Sequence, residues 1–159
     1  MEQMHARHLL LTLTLALTLG LSGAAQTARA TQTAMEVFKT STCGCCGKWV
    51  EHMRAAGFAV TFTDIDQAEL DRVKAKHGVA RELHSCHTAL VDGYVIEGHV
   101  PASEVRRLLT ERPKVAGLAV PGMPLGSPGM EVSGVKAQPY DVLSFQKNGG
   151  SRVFSTIKP

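Results

Sequence analysis

The chain has 159 residues, a formal net charge of +3 and four cysteines, and 44% of its residues are hydrophobic. Its basic residues are scattered along the sequence, and aromatic residues make up only 5% of it. A nucleic-acid-binding surface would need its basic residues clustered on one face or element. We therefore expect no nucleic-acid partner.

The first 30 residues have the layout of a secretory signal peptide. A polar segment containing Arg7 precedes the uncharged, Leu- and Thr-rich run 9–21, and residues 28–30 read Ala-Arg-Ala, a small-residue cleavage pattern. The alternative is a membrane anchor, but a run of about 13 residues is short against the roughly 20 that span a bilayer. We predict cleavage after Ala30, a mature domain of residues 31–159 without a membrane span, and a periplasmic location.

The mature chain opens with alternating strand and helix patterns. The hydrophobic periodicity, the β-branched content and the turn residues predict four elements in chain order, namely a strand at 35–39, a helix at 47–56, a strand at 59–65 and a helix at 67–77. Gly57 is expected to end the first helix and Asp66 to cap the second. Strand, helix and strand in this order predict a parallel pair joined by a right-handed crossover.

The following segment has the pattern of a hairpin. Asp92-Gly93 is a dipeptide favoured in tight type I′ turns, and it separates strands predicted at 88–91 and 94–97. A last helix is expected from Pro101-Ala102-Ser103 to Glu111, before Pro113. The order βαβαββα is that of a thioredoxin-like α/β fold in a single domain. A Gly/Pro-rich stretch, 115–134, and a second hairpin, 140–146 with 152–157, form a C-terminal extension.

Three of the four cysteines lie in Cys43-Gly44-Cys45-Cys46, between the first predicted strand and helix. In an exported protein, cysteines commonly form structural disulfides. Here a bond between adjacent cysteines would be strained, and a bond from Cys43 to Cys46 would close a loop too short to stabilise the fold much. Redox exchange and metal binding remain. Both need a thiolate, which a helix N-terminus stabilises.

The extra thiol, Cys45, favours metal binding. A dithiol oxidoreductase needs one attacking and one resolving sulfur, and a third beside them invites scrambled pairings. Crowded thiolates can instead bridge several Cu(I) ions, and soft sulfur ligands select Cu(I). A thiol-disulfide oxidoreductase with Cys43 as nucleophile and Cys46 as resolving thiol is the alternative. A structural Zn²⁺ site ranks third, because three ligands from four consecutive residues fit poorly around one tetrahedral ion.

Further candidate ligands lie elsewhere in the chain. Cys86 precedes the third strand, where thioredoxin-like proteins place a loop against the C-x-x-C pair. Cys86 should therefore face the helix-borne thiols. The alternative is that it is only a small buried residue. The other candidates are His87, which could instead be an exposed loop residue, His99 after the fourth strand, and the thioethers of Met123 and Met130, which could instead fill the core.

These segments together resemble the CopG family of periplasmic copper-resistance proteins, formerly a domain family of unknown function. The resemblance runs from about Met35 to the C-terminus and is carried by four motifs in the same order, Cys43-Gly44-Cys45-Cys46 with Lys48-Trp49, Ser85-Cys86-His87-Thr88, Gly93 to Pro101, and Gly122-Met123-Pro124 through Gly129-Met130-Glu131. It implies a thioredoxin-like fold, a C-x-C-C site holding a cysteine-bridged Cu(I) cluster, and a role in copper tolerance with redox activity. We expect several Cu(I) ions as the bound species, and a periplasmic partner that transfers copper or electrons.

Overall fold

The computed structural model describes residues 32–147 and 149–158, so the predicted signal peptide lies outside the described residues. Within them, three helices and a 3-10 turn at Arg81–Leu83 accompany seven strands. The helices are α1 (Gly44–Ala55), α2 (Gln67–Lys76) and α3 (Ala102–Glu111). The strands are β1 (Ala34–Lys39), β2 (Ala59–Asp64), β3 (His87–Val91), β4 (Tyr94–Glu97), β5 (Gly117–Ala119), β6 (Tyr140–Phe145) and β7 (Ser151–Ile157).

All seven strands form one mixed sheet in the order β2-β1-β3-β4-β5-β6-β7. β1 pairs with β2 in parallel and with β3 antiparallel, and β3 continues antiparallel to β4. The predicted α/β class and the predicted element order up to α3 are confirmed. The thioredoxin-like assignment stays a prediction.

The C-terminal extension continues the sheet through a strand that the sequence did not predict. β5 lies parallel to β4 and antiparallel to β6, so it joins the predicted hairpin β6–β7 to the rest of the sheet. The strand has only three residues and begins at Gly117, where a Cβ atom would lie 1.8 Å from the carbonyl oxygen of Val95. A short strand that includes glycine carries almost no periodic signal, which explains why it was missed.

Local chemistry explains the elements that were predicted. Asp66 caps α2, because its side chain accepts a hydrogen bond from the backbone N–H of Glu69 at 2.8 Å. Asp92 and Gly93 both have positive φ, 47° and 84°, as a type I′ turn requires. The predicted hairpin turn between β3 and β4 is confirmed, and Val91 pairs with Tyr94 across it.

Helix α1 begins at Gly44, three residues earlier than predicted, and this changes where the thiols lie. Cys43 is the N-cap, and its Sγ accepts a hydrogen bond from the backbone N–H of Cys46 at 3.3 Å. Cys45 and Cys46 therefore belong to the first turn of the helix and do not precede it. This first turn contains no acidic residue.

The buried face of α1 anchors that turn to the core. Trp49, Val50 and Met53 are buried together with Val105 and Leu108 of α3 and with residues of the central strands. The indole Nε1 of Trp49 donates a hydrogen bond to the carbonyl oxygen of Val100 at 2.9 Å, so the ring also has its polar atom satisfied. Among the described residues, no helix has both the length and the apolar character needed to cross a bilayer.

Candidate metal centre

Strand pairing brings two distant segments of the chain together. In the antiparallel pair β1–β3, Lys39 at the end of β1 lies opposite His87 at the start of β3. The chain that leaves β1 leads into the cysteine turn of α1, and the chain that enters β3 carries Cys86 immediately before His87. The pairing therefore places Cys86 beside the three helix-borne cysteines, as expected.

The four sulfur atoms form one compact group, within 4.8 Å of one another. The Sγ of Cys45 lies 3.5 Å from that of Cys43 and 3.8 Å from that of Cys86. Cys46 is fully buried, whereas the other three are partly exposed. A soft ion can reach this group from the solvent side.

Two of the four cysteines are bonded to each other. Cys43 and Cys46 form a disulfide, and Cys45 and Cys86 are free thiols. The bond closes so short a loop that it constrains little of the unfolded chain. Its sulfurs are not thiolates, so a site that uses all four cysteines requires two-electron reduction of this bond.

His99 is placed to act on Cys86. The ring is buried, its Nδ1 lies 2.8 Å from the carbonyl oxygen of Pro128, and its Nε2 lies 3.0 Å from the Sγ of Cys86. A carbonyl oxygen can only accept, so Nδ1 carries the hydrogen and Nε2 of the neutral ring presents a lone pair. His99 therefore offers a ligand nitrogen directly beside the free thiol.

His87 is also part of the group, and it is not an exposed loop residue. It is fully buried, with its Nδ1 3.7 Å from the Sγ of Cys86, and its Nε2 has no hydrogen-bond partner among the described residues. Its ring centroid lies 4.3 Å from that of Trp49 and 5.1 Å from that of His99. Cys86, His87 and His99 thus form a second potential ligand set that shares Cys86 with the four cysteines.

Burial sets the protonation states of the metal-free centre. It lowers the pKa of His87 well below its ordinary value and also lowers the pKa of His99. Burial, followed by the proximity of Cys45, raises the pKa of the Cys86 thiol to about 12. Cys86 is therefore a neutral thiol that can donate to Nε2 of His99, and a metal ion bound by its sulfur must displace this proton.

The segment 122–130 carries both candidate methionines and lies across the centre. Gly129 has φ of +89°, and a Cβ atom there would lie 2.7 Å from the carbonyl oxygen of Cys45 and 3.0 Å from the backbone nitrogen of Trp49. Only glycine allows the segment to approach the cysteine turn this closely. The half-buried Met130 follows directly, whereas Met123 is 51% exposed.

Sequence reasoning missed a buried charged group behind the centre. The side chains of Lys74 and Glu97 are 1% and 0% exposed, and Nζ of Lys74 lies 2.5 Å from Oε1 of Glu97. The same oxygen accepts the backbone N–H of Ser85, the residue before Cys86, at 2.7 Å. Lys74 lies on a helix that is mostly polar, and Glu97 lies at the end of a strand. Neither position gives a sequence signal of burial.

The neutral, buried state of His87 has a consequence for stability. Imidazoles in the unfolded chain keep a pKa of about 6.5, whereas the folded protein depresses that of His87, so the unfolded state binds more protons at acid pH. The free energy of unfolding of the metal-free protein should therefore fall as the pH drops below about 6.5, by up to about 1.4 kcal/mol per pH unit from this residue.

Urea denaturation at several pH values between 5 and 8 measures this slope. His87→Gln should flatten it, while His52, His77 and His99, whose pKa values are also lowered, remain in both proteins as an internal background. Identical slopes in the wild type and in H87Q would contradict the buried neutral state of His87.

One known protein family matches part of this chain. Residues 83–130 match a family described as a protein of unknown function, DUF411, and this range includes Cys86, His87, His99, Met123 and Met130. A search of curated proteins finds no match.

Two solved structures are similar to this chain over nearly all of the described residues. One, described as copper resistance protein CopG, form 2, is 40% identical with a TM-score of 0.73, and the match covers 80% of this chain and 99% of that one. Form 1 of the same protein is 39% identical with a TM-score of 0.74 and the same coverage. On this identity and coverage, the chain belongs to the CopG family.

Proposed function

We propose that this protein binds several Cu(I) ions in a cysteine-bridged cluster and acts in copper resistance or homeostasis in the periplasm. The observation that carries the proposal is the group of four cysteine sulfurs within 4.8 Å of one another, with the Nε2 of His99 at 3.0 Å from one of them. The copper-resistance relatives and the cysteine cluster both fit copper binding. The predicted signal peptide supports the location.

The donor set favours copper over harder ions. Thiolate, thioether and imidazole ligands suit Cu(I), whereas Mg²⁺ and Ca²⁺ prefer oxygen. Four thiolates around one ion would leave a large excess of negative charge. Shared among several Cu(I) ions, the same thiolates balance the metal charge and hold the ions close together. Cys43, Cys45, Cys46 and Cys86 would bridge, and His87, His99 and the methionines would complete the coordination.

The two methionines would have different roles in this arrangement. Met130 belongs to the segment that contacts the cysteine turn, so its thioether is the better candidate for a terminal ligand. Met123 is exposed beside Ser85, whose hydroxyl donates to the carbonyl oxygen of Gly122 at 2.5 Å. An exposed thioether needs no deprotonation before it binds Cu(I), so Met123 suits transfer of the ion from a periplasmic copper-transfer partner.

Copper binding by the reduced protein is the test. Anaerobic titration with Cu(I) against a chelator of known affinity should give more than one ion per chain. The protein with the Cys43–Cys46 disulfide intact should lose most of this capacity. The triple variant Cys43→Ser/Cys45→Ser/Cys46→Ser should lose most of it as well. The matched control is His77→Gln, since His77 ends α2 and belongs to neither ligand set. Absence of Cu(I) binding by the reduced wild type, or equal binding by the triple variant, would refute the proposal.

A thiol-disulfide oxidoreductase is the second candidate, and the disulfide favours it. Cys43 and Cys46 are bonded at a helix N-terminus, with Cys43 partly exposed and Cys46 fully buried. This is the accessibility expected of an attacking and a resolving sulfur. In such a cycle an external dithiol would first reduce the Cys43–Cys46 bond and would itself be oxidised to a disulfide. The Cys43 thiolate would then attack a substrate disulfide and release one substrate thiolate. Cys46 would attack the resulting mixed disulfide, release the second substrate thiolate and re-form the Cys43–Cys46 bond.

The rate at which metal-free protein catalyses the reduction of insulin by dithiothreitol, above the uncatalysed rate, separates the two functions. If copper binding is the main function, turnover should be slow, and Cys45→Ser should lower the copper capacity without raising the turnover. Rapid turnover that survives Cys45→Ser and is lost in Cys43→Ser and in Cys46→Ser would favour the oxidoreductase.

A further inference from the structure

The Lys74–Glu97 ion pair is almost completely buried, with side chains 1% and 0% exposed. Both charged groups are almost fully removed from water, which is unfavourable unless every hydrogen-bonding atom finds a partner. A pair of apolar residues of similar volume is often equally or more stabilising at such a position. Stability alone therefore does not explain why the position carries an ion pair, and the hydrogen bonds of the pair show what it holds in place.

Its remaining hydrogen bonds all go to the segment that carries two candidate ligands. Oε1 of Glu97 accepts the backbone N–H of Ser85 at 2.7 Å, and Oε2 accepts the hydroxyl of Thr88 at 2.7 Å. That hydroxyl also accepts from Nζ of Lys74 at 3.0 Å. Ser85 and Thr88 stand on either side of Cys86 and His87, so one carboxylate holds the backbone before the ligand pair and the Thr88 side chain after it.

The chain after Glu97 is fixed against the same segment. The N–H of Gly98 donates to the carbonyl oxygen of His87 at 3.0 Å, and His99 follows with its Nε2 at Cys86. Gly98 has φ of +71°, and a Cβ atom there would lie 2.4 Å from Oγ of Ser85 and 2.7 Å from the carbonyl oxygen of Val120. The close packing at Gly98 leaves the Ser85 segment no space on this side.

We propose that Glu97, with its charge balanced by Lys74, is a positioning residue for the metal centre. It holds the Ser85 backbone and the Thr88 side chain so that Cys86 and His87 face the cysteines of α1 before the metal arrives. A preorganised ligand segment loses little conformational entropy on binding, so the benefit appears as metal affinity. The expected gain in metal affinity rests on the proposed copper function, whereas the placement of Cys86 does not.

Two double variants separate positioning from stability. Lys74→Met with Glu97→Leu replaces the pair by apolar side chains and removes the carboxylate oxygen that accepts the Ser85 N–H. Lys74→Met with Glu97→Gln also removes both charges but keeps an amide oxygen that can accept it. Leu108→Ala, a truncation in the buried core on α3, serves as a control for loss of stability without change at the centre.

The first readout needs no copper. In a Cys45→Ser background with the Cys43–Cys46 disulfide intact, Cys86 is the one free thiol of the four cysteines in the chain. Its alkylation by iodoacetamide should be at least fivefold faster in K74M/E97L than in the parent protein. It should change less than twofold in K74M/E97Q and in L108A.

The second readout is the Cu(I) affinity of the fully reduced proteins, measured by chelator competition. K74M/E97L should bind at least tenfold more weakly than the wild type, and K74M/E97Q should recover most of this loss. Should K74M/E97L fail to fold, Thr88→Val removes only the bridging hydroxyl and should still change both readouts in the same direction, by about threefold.

The outcomes distinguish the two proposals. Alkylation rates and affinities in K74M/E97L and T88V that match those of L108A would overturn the positioning role. A reduced wild type that binds no Cu(I) would refute the copper function, and the alkylation rates would then still decide whether Glu97 places Cys86.

Discussion

The antiparallel pairing of β1 with β3 aligns the end of one strand with the start of the other, and the whole centre depends on this alignment. Lys39 opposite His87 sets the cysteine turn of α1 beside Cys86. A slip of one residue in this pair would turn every side chain of β3 to the opposite face of the sheet. The candidate metal centre is thus a consequence of sheet register and does not arise from the C-x-C-C motif alone.

Around that alignment, neutral groups lie directly beside the sulfurs. The imidazoles of His87 and His99 are kept neutral by burial, and Cys86 is kept protonated. The Cys86 position is poorly suited to a lone thiolate and well suited to an ion that brings positive charge with it. The disulfide between Cys43 and Cys46 adds a redox condition, because only the reduced form offers four sulfur ligands. Loading with copper and the thiol state of the protein are therefore linked.

Features with local causes could be predicted from the sequence, and features with tertiary causes could not. Asp66 and the Asp92-Gly93 turn act through their own backbone, so both were predicted correctly. The juxtaposition of Cys86 with the helix-borne cysteines followed from the strand order. In contrast, β5 is specified by contact with β4, Gly129 by contact with the cysteine turn, and Glu97 by a lysine 23 residues away. None of these partners is visible in a sequence window around the residue.

The metal content and thiol state of the protein isolated from copper-grown cells, purified without reducing agent, test the central claim most directly. We predict more than one copper ion per chain, together with protection of the cysteines from alkylation until the metal is removed. A protein that carries no copper and retains the Cys43–Cys46 disulfide under copper stress would contradict it.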